Sequence, residues 1–233
     1  MKKKIASLLG ILLVALPLIA SAQIGPFIEA PTHETISVAG GTTPVYITNS
    51  TGTTIGAATG TASITSQPDT PRALTVVFTD ANTSVLTLTV SVIGKDQWGK
   101  TRTQNFAFND SVAGNSHTCV GKIPFAKVTS VTWFGGSGTY TGGSADKIVV
   151  QSNNRFGFVP RPFIAADVVK VTRAQAFAAP ADIGTTYTLD LIENTILPTT
   201  VADTDQFDVW VAPSAVVYPA QRSPIIGAVR NTD

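Results

Sequence analysis

Apolar and polar side chains alternate with period two over much of the chain. Leu74, Val76 and Phe78 are interleaved with Thr75 and Thr79. Leu86, Leu88, Val90 and Val92 alternate with Thr87, Thr89 and Ser91, and Arg102–Phe108 places Phe106 and Phe108 on one side. Such alternation marks half-buried strands, and threonine suits their solvent side because its branched Cβ fits the pleat. Asp80-Ala81-Asn82 and the Gly-bounded segment Gly94-Lys95-Asp96-Gln97-Trp98-Gly99 supply turns, so this region reads as a β-meander. Further strands are predicted over Phe125–Phe134, Lys147–Gln151, Asp167–Thr172, Tyr187–Ile192 and Gln206–Val211. Between them Gly135-Gly136-Ser137-Gly138, Gly142-Gly143 and Asn153-Asn154 read as turns, and Pro160-Arg161-Pro162 as a loop or edge. Ala174–Ala179 is the one segment that reads as a short helix, broken by Pro180. About ten short strands with turn signals every 8–12 residues predict an all-β fold, an antiparallel β-sandwich or jelly-roll-like domain.

Two other regions stand apart. Residues 23–66 are rich in Thr and Gly, with brief alternations at Ile36-Val38 and Val45-Ile47, and read as an N-terminal arm or as short strands. At the N-terminus, Lys2–Lys4 precede the 15-residue apolar run Ile5–Ile19, and Ala20-Ser21-Ala22 comes before Gln23. A basic n-region, an apolar stretch and a small-residue cleavage site make a secretory signal peptide cut between Ala22 and Gln23. The run holds Pro17 and is shorter than the ~20 residues of a spanning helix. The expected organisation is therefore a signal peptide at 1–22, the Thr/Gly-rich region at 23–66, a sandwich at 67–212 and a tail at 213–233.

Charge narrows the function classes. The chain has 16 Lys+Arg and 15 Asp+Glu in 233 residues, but three of the basic residues are Lys2, Lys3 and Lys4. Without the first 22 residues the body carries 13 basic and 15 acidic side chains, a net of −2. Nucleic acid and anionic membranes call for a clustered basic surface, so neither is an expected partner of the mature chain. Charged residues make up 13% of the sequence, against ~25% in an average domain. Hydroxyls replace them, with 33 Thr and 16 Ser.

Candidate chemistry is sparse. His117 and Cys119 lie two apart and would share a strand face, but no G-x-S-x-G elbow accompanies them, and His33 is the other histidine. A single cysteine cannot close an internal disulfide, and two His with one Cys lack zinc-ligand spacing. Asp203, Asp205 and Asp208 bring hard oxygens together that would suit calcium, yet turn formation before a strand also explains them. Paired carboxylates for glycoside hydrolysis are placed by fold rather than spacing, so a secreted hydrolase stays open as a third reading. Gly135-Gly136-Ser137-Gly138 lacks the Lys-Ser/Thr of a phosphate loop. Trp98, Trp133 and Tyr140 sit in or beside Gly-rich segments and would serve as ligand or docking aromatics if exposed, or as rim packing if buried. The expectation is a protein with no catalytic residues, no cofactor and no metal.

One family resemblance adds to this reading. Gln67-Pro68-Asp69-Thr70-Pro71-Arg72-Ala73-Leu74-Thr75-Val76, followed by Thr79-Asp80-Ala81-Asn82, resembles a pattern in tailed-bacteriophage virion structural proteins, where P-x-x-P-R leads into a first sandwich strand. The turn Gly94, Asp96, Gly99, the segment Phe125–Val131 and the run Asn153–Pro160 with Asp167–Val171 continue the likeness, over about residues 62–212. The resemblance implies a non-enzymatic capsid-decoration or minor head subunit, partnered with itself or other particle subunits and hence a homo-oligomer. A virion location conflicts with the export that the signal peptide implies. The alternative function is an exported carbohydrate-binding or adhesin-like module, with glycans as partners.

Overall fold

The computed structural model describes residues 32–38, 44–80, 85–109, 116–140, 146–162, 165–175, 179–183, 186–202 and 204–212. The signal segment with its Ala22–Gln23 junction, the tail 213–233, Asp203, Ala81-Asn82 and Gly142-Gly143 lie outside the described residues.

Fourteen strands are present among the described residues: β1 (Thr32–Ser37), β2 (Thr53–Thr54), β3 (Gly60–Ala62), β4 (Arg72–Asp80), β5 (Val85–Lys95), β6 (Thr101–Asn109), β7 (Ser116–Val120), β8 (Lys127–Gly138), β9 (Asp146–Gly157), β10 (Val168–Gln175), β11 (Ala181–Asp182), β12 (Tyr187–Asp190), β13 (Thr195–Pro198) and β14 (Asp205–Val211). All the pairings are antiparallel. They form three sheets, ordered β1-β14-β10-β11, β12-β13-β9-β4-β7 with β2 also on β9, and β3-β8-β5-β6. The described part of the Thr/Gly-rich region thus supplies β1, β2 and β3, each paired with a strand from later in the chain.

Period two explains the packing. Leu74, Val76 and Phe78 of β4 and Ile148 and Val150 of β9 meet Leu88, Val90, Val92, Phe106, Phe108, Val131 and Trp133 of the β3-β8-β5-β6 sheet in one apolar core. A second core joins Ile36, Val171, Phe207 and Val209 to Phe156, Phe158 and Ile196. Strand β9 serves both, its first half lying in the first core and Phe156 in the second. Burial of this kind contributes roughly 25 cal/mol per Å² of apolar surface, and the threonines left outside cost the strands nothing in shape.

Four local expectations are corrected. Asn153-Asn154 is not a turn but lies inside β9, where the register against β4 slips between Arg72 and Leu74. There Asn153 Oδ1 accepts the Arg155 amide at 2.9 Å, and Nδ2 donates at 3.3 Å to Leu74 O, which also accepts the Gly121 amide, so the side chain ties the slip to the neighbouring backbone. Gly135–Gly138 likewise falls within β8; Gly135 (φ 67°) and Gly138 (φ 110°) take left-handed conformations where the pairing with β5 slips. The same slip turns Leu86 outward, 51% exposed, away from buried Leu88, Val90 and Val92. Ala174 and Gln175, expected in a helix, extend β10 along β14 because the β-branched run Val168, Val169, Val171, Thr172 continues into it; residues 176–178 are outside the described set.

Candidate interaction surface

Trp98, Trp133 and Tyr140 are not brought together. Trp133 is 6% exposed in the first core and its indole N–H donates to Ala57 O at 3.0 Å. Tyr140 packs against the same core; burial, then the nearby Asp146 charge, pushes its hydroxyl pKa up. Trp98 is 39% exposed and stands in the β5–β6 turn.

Three segments meet at Trp98. The turn Asp96–Lys100 is closed by Asp96 Oδ1, which accepts the Trp98 amide at 3.0 Å and the Lys100 amide at 2.9 Å, with Gly99 at φ 76°. An aspartate bonding its own turn in this way fixes the loop. From the chain after β9, Val159 O accepts the Trp98 indole N–H at 3.2 Å, and the Arg161 guanidinium lies 5.4 Å from the centroid of the Trp98 ring. From the β12–β13 turn, Glu193 O accepts Gln97 Nε2–H at 3.3 Å, and the Glu193 carboxylate pairs with Arg102 at 2.7 Å. Asn194, at φ 55°, donates its side-chain amide to Phe158 O and to Pro160 O. The Val159 amide donates to the Glu34 carboxylate of β1, whose pKa is raised by burial against the lowering effect of that bond. Val159, whose carbonyl holds the indole, is 49% exposed, and Ile192 in the β12–β13 turn is 82% exposed.

A second cluster lies on the outward side of the β1-β14-β10-β11 sheet. The His33 and Trp210 rings stack across the strands with centroids 4.2 Å apart. Asp208 Oδ1 lies 3.1 Å from His33 Nε2 and accepts Thr35 Oγ1–H at 2.6 Å, while Oδ2 accepts Thr172 Oγ1–H at 3.3 Å. Burial raises the Asp208 pKa, but these hydrogen bonds and the His33 charge outweigh it and hold the carboxyl below its ordinary value. Nothing local in the sequence announces this group, since His33 and Asp208 are 175 positions apart.

The remaining candidates are separated. Asp205 is buried and accepts Arg173 Nε–H at 2.8 Å and the Ala202 amide at 2.6 Å, whereas Asp208 points to the opposite face of β14. The two described members of the acidic triplet therefore share no site, and no group of three or more potential metal-ligating side chains occurs among the described residues. His117 and Cys119 do share a face of β7; the Cys119 thiol contacts Ala107 O at 3.6 Å and burial pushes its pKa up, away from the nucleophilic thiolate. Among the described residues no helix is long and apolar enough to cross a membrane.

No protein-family model matches the chain, and comparison with curated proteins gives no match. Among solved structures, chains from infectious bursal disease virus of the Gx and Gt strains are similar at 13% identity, with TM-scores of 0.22 and 0.24. The matches cover 82% and 86% of this chain but 44% and 46% of those chains, less than half of either. A likeness of this extent carries no functional argument.

Proposed function

We propose that the chain is a non-enzymatic structural or interaction protein of the virion-subunit kind, docking through the outer surfaces of its sheets. The carrying observation is the outward face of β7, β4, β9 and β2. Opposed residues share a face: Thr118, Val77 and Val149 form one row, Val120, Thr75 and Gln151 the next, and Ser116, Thr79, Lys147 and Thr54 a third. Val120 is 67% exposed whereas Thr75 is buried, and Lys147 is the single charged residue in these rows. A nearly neutral face of valine and threonine can meet another subunit without desolvating many charges. The resemblance of the Pro68–Arg72 segment to virion proteins supports the finer reading. Light scattering on the purified chain, with Val77→Lys and Val149→Lys as disrupting variants, and mass spectrometry of purified particles test it. A monomer at every concentration, together with absence from particles, overturns it.

The Trp98 surface favours the second reading, an exported glycan-binding module. Glycan binding lost in Trp98→Ala supports it, whereas binding unchanged in that variant removes it.

A further inference from the structure

The Trp98 surface is built before any ligand arrives. Each of its three segments is held by buried or half-buried side chains of its own: Asp96 in the turn, Asn194 behind Phe158 and Pro160, and the Arg102–Glu193 pair across them. Such preorganisation lowers the ordering cost of binding. Arg161 stands between Pro160 and Pro162, whose rings fix the backbone on both sides.

The charges here are unevenly committed. Glu193 is paired with Arg102 at 2.7 Å, Asp96 is buried and lies 3.7 Å from Arg102, and Asp190 pairs with Arg155 at 3.8 Å. Arg161 and Lys100 are exposed, and neither has a carboxylate partner among the described residues. Glu34 is taken up by the Val159 amide, so the carboxylates beside this surface are engaged, while the Arg161 guanidinium at the Trp98 ring is available to a ligand. The indole N–H is already spent on Val159 O, so the exposed part of Trp98 offers ring carbons rather than a hydrogen bond.

From this juxtaposition we infer that the Trp98–Arg161 surface is a binding site for an acidic saccharide, a sugar carrying a carboxylate on its ring. The C–H face of the pyranose lies on the part of the exposed indole that Arg161, 5.4 Å from the ring centroid, leaves uncovered, which needs no donor from the ligand. Its carboxylate takes the paired N–H donors of Arg161, held over the same indole so that little rotamer freedom is lost on binding. Exposed Lys100, two residues along the same turn, adds a positive charge to the turn. An acidic peptide would satisfy Arg161 but presents no rigid C–H face to Trp98, and a neutral sugar would leave Arg161 unused. The inference rests on the glycan-binding reading and not on the subunit reading.

The test uses the full chain and titration calorimetry against three probes. These are an oligogalacturonate, its fully methyl-esterified neutral counterpart and a glutamate-rich peptide. The expected result is saturable binding of the oligogalacturonate that weakens with salt, is at least tenfold tighter than binding of the ester, and exceeds binding of the peptide. Arg161→Ala is expected to bring the acid down to the level of the ester, and Trp98→Ala to weaken both sugars. Unchanged thermal melting confirms that both variants fold. Equal binding of acid and ester, no effect of Arg161→Ala, or preference for the peptide overturns the acidic inference. Binding of the ester that is lost in Trp98→Ala would still leave a neutral-glycan site standing. No binding of either sugar overturns the inference as drawn, and a broad glycan array that is also silent removes the glycan reading with it.

Discussion

The Arg72 guanidinium lies 4.8 Å from the centroid of the Phe156 ring, and both side chains are fully buried. Arg72 also reaches Asp69 at 2.9 Å and Ser152 Oγ at 3.4 Å, while its backbone exchanges hydrogen bonds with Phe125. It therefore joins the segment leading into β4, the register slip of β9 and the second core. Desolvation lowers the arginine pKa, and Asp69 opposes that shift. Removing the guanidinium leaves Asp69 without this ion pair and opens a void above Phe156. Arg72→Ala is expected to cost about 3–5 kcal/mol in urea denaturation, the range for breaking a buried pair. Arg72→Met keeps most of the volume and should cost less. Equal stability of wild type and Arg72→Ala would show that the buried cation does not hold this junction.

Asp208 predicts a specific acid response. Its folded pKa lies below the ordinary 3.8, so its contribution is present above that value and is lost as pH falls through the lower folded value. Asp208→Asn should be less stable than wild type at pH 7, and the gap should close on acidification below about pH 4. Thermal melts from pH 7 down to strong acid follow this directly. A gap that stays constant with pH would mean that the His33, Thr35 and Thr172 bonds do not favour the ionised form.

Glu34 predicts the opposite sign. Burial raises its pKa above 4.5, so its titration favours the fold below the unfolded value and that contribution disappears as pH rises through the folded one. At neutral pH the carboxylate is held ionised against a desolvation cost. Glu34→Gln retains an oxygen to accept the Val159 amide and removes the charge. The variant should match or exceed wild-type stability at pH 7 and lose that advantage as pH falls through the raised folded value, the loss being complete by the ordinary 4.5. Destabilisation at pH 7 that persists in acid would show that the amide cannot replace the carboxylate as the anchor of Val159.

Legibility in the sequence followed burial. Leu74–Phe78, Leu88–Val92 and Gln206–Val211 were readable because a strand with one buried side must alternate. The bulges at Asn153-Asn154 and Gly135–Gly138 carry the residues of turns, since left-handed backbone and self-bonding amides serve both. β1 was faint because Thr32–Ser37 buries Ile36 and little else, and it is fixed by pairing with residues far along the chain. The Gly-bounded turn did single out Trp98. Its neighbours Val159 and Arg161, and Asn194 that holds their segment, are not legible as a group, because tertiary hydrogen bonds bring them together from distant parts of the chain.

Trp133 and Gly60 separate core from surface among the tryptophans. They are directly opposed in the pairing of β3 with β8, and a Cβ on Gly60 would stand 2.1 Å from Trp133 Cζ2. The indole therefore fills the space that the missing side chain leaves. Gly60→Ala is expected to destabilise by about 1–3 kcal/mol, the usual cost of overpacking. Trp133→Ala should cost about 3–5 kcal/mol as a buried aromatic. If the Gly60 cost comes from this one contact, Gly60→Ala should become nearly neutral in the Trp133→Ala background, giving a coupling of about 1–3 kcal/mol in a double-mutant cycle. Additive costs would place the strain of Gly60→Ala in the backbone of β3 instead.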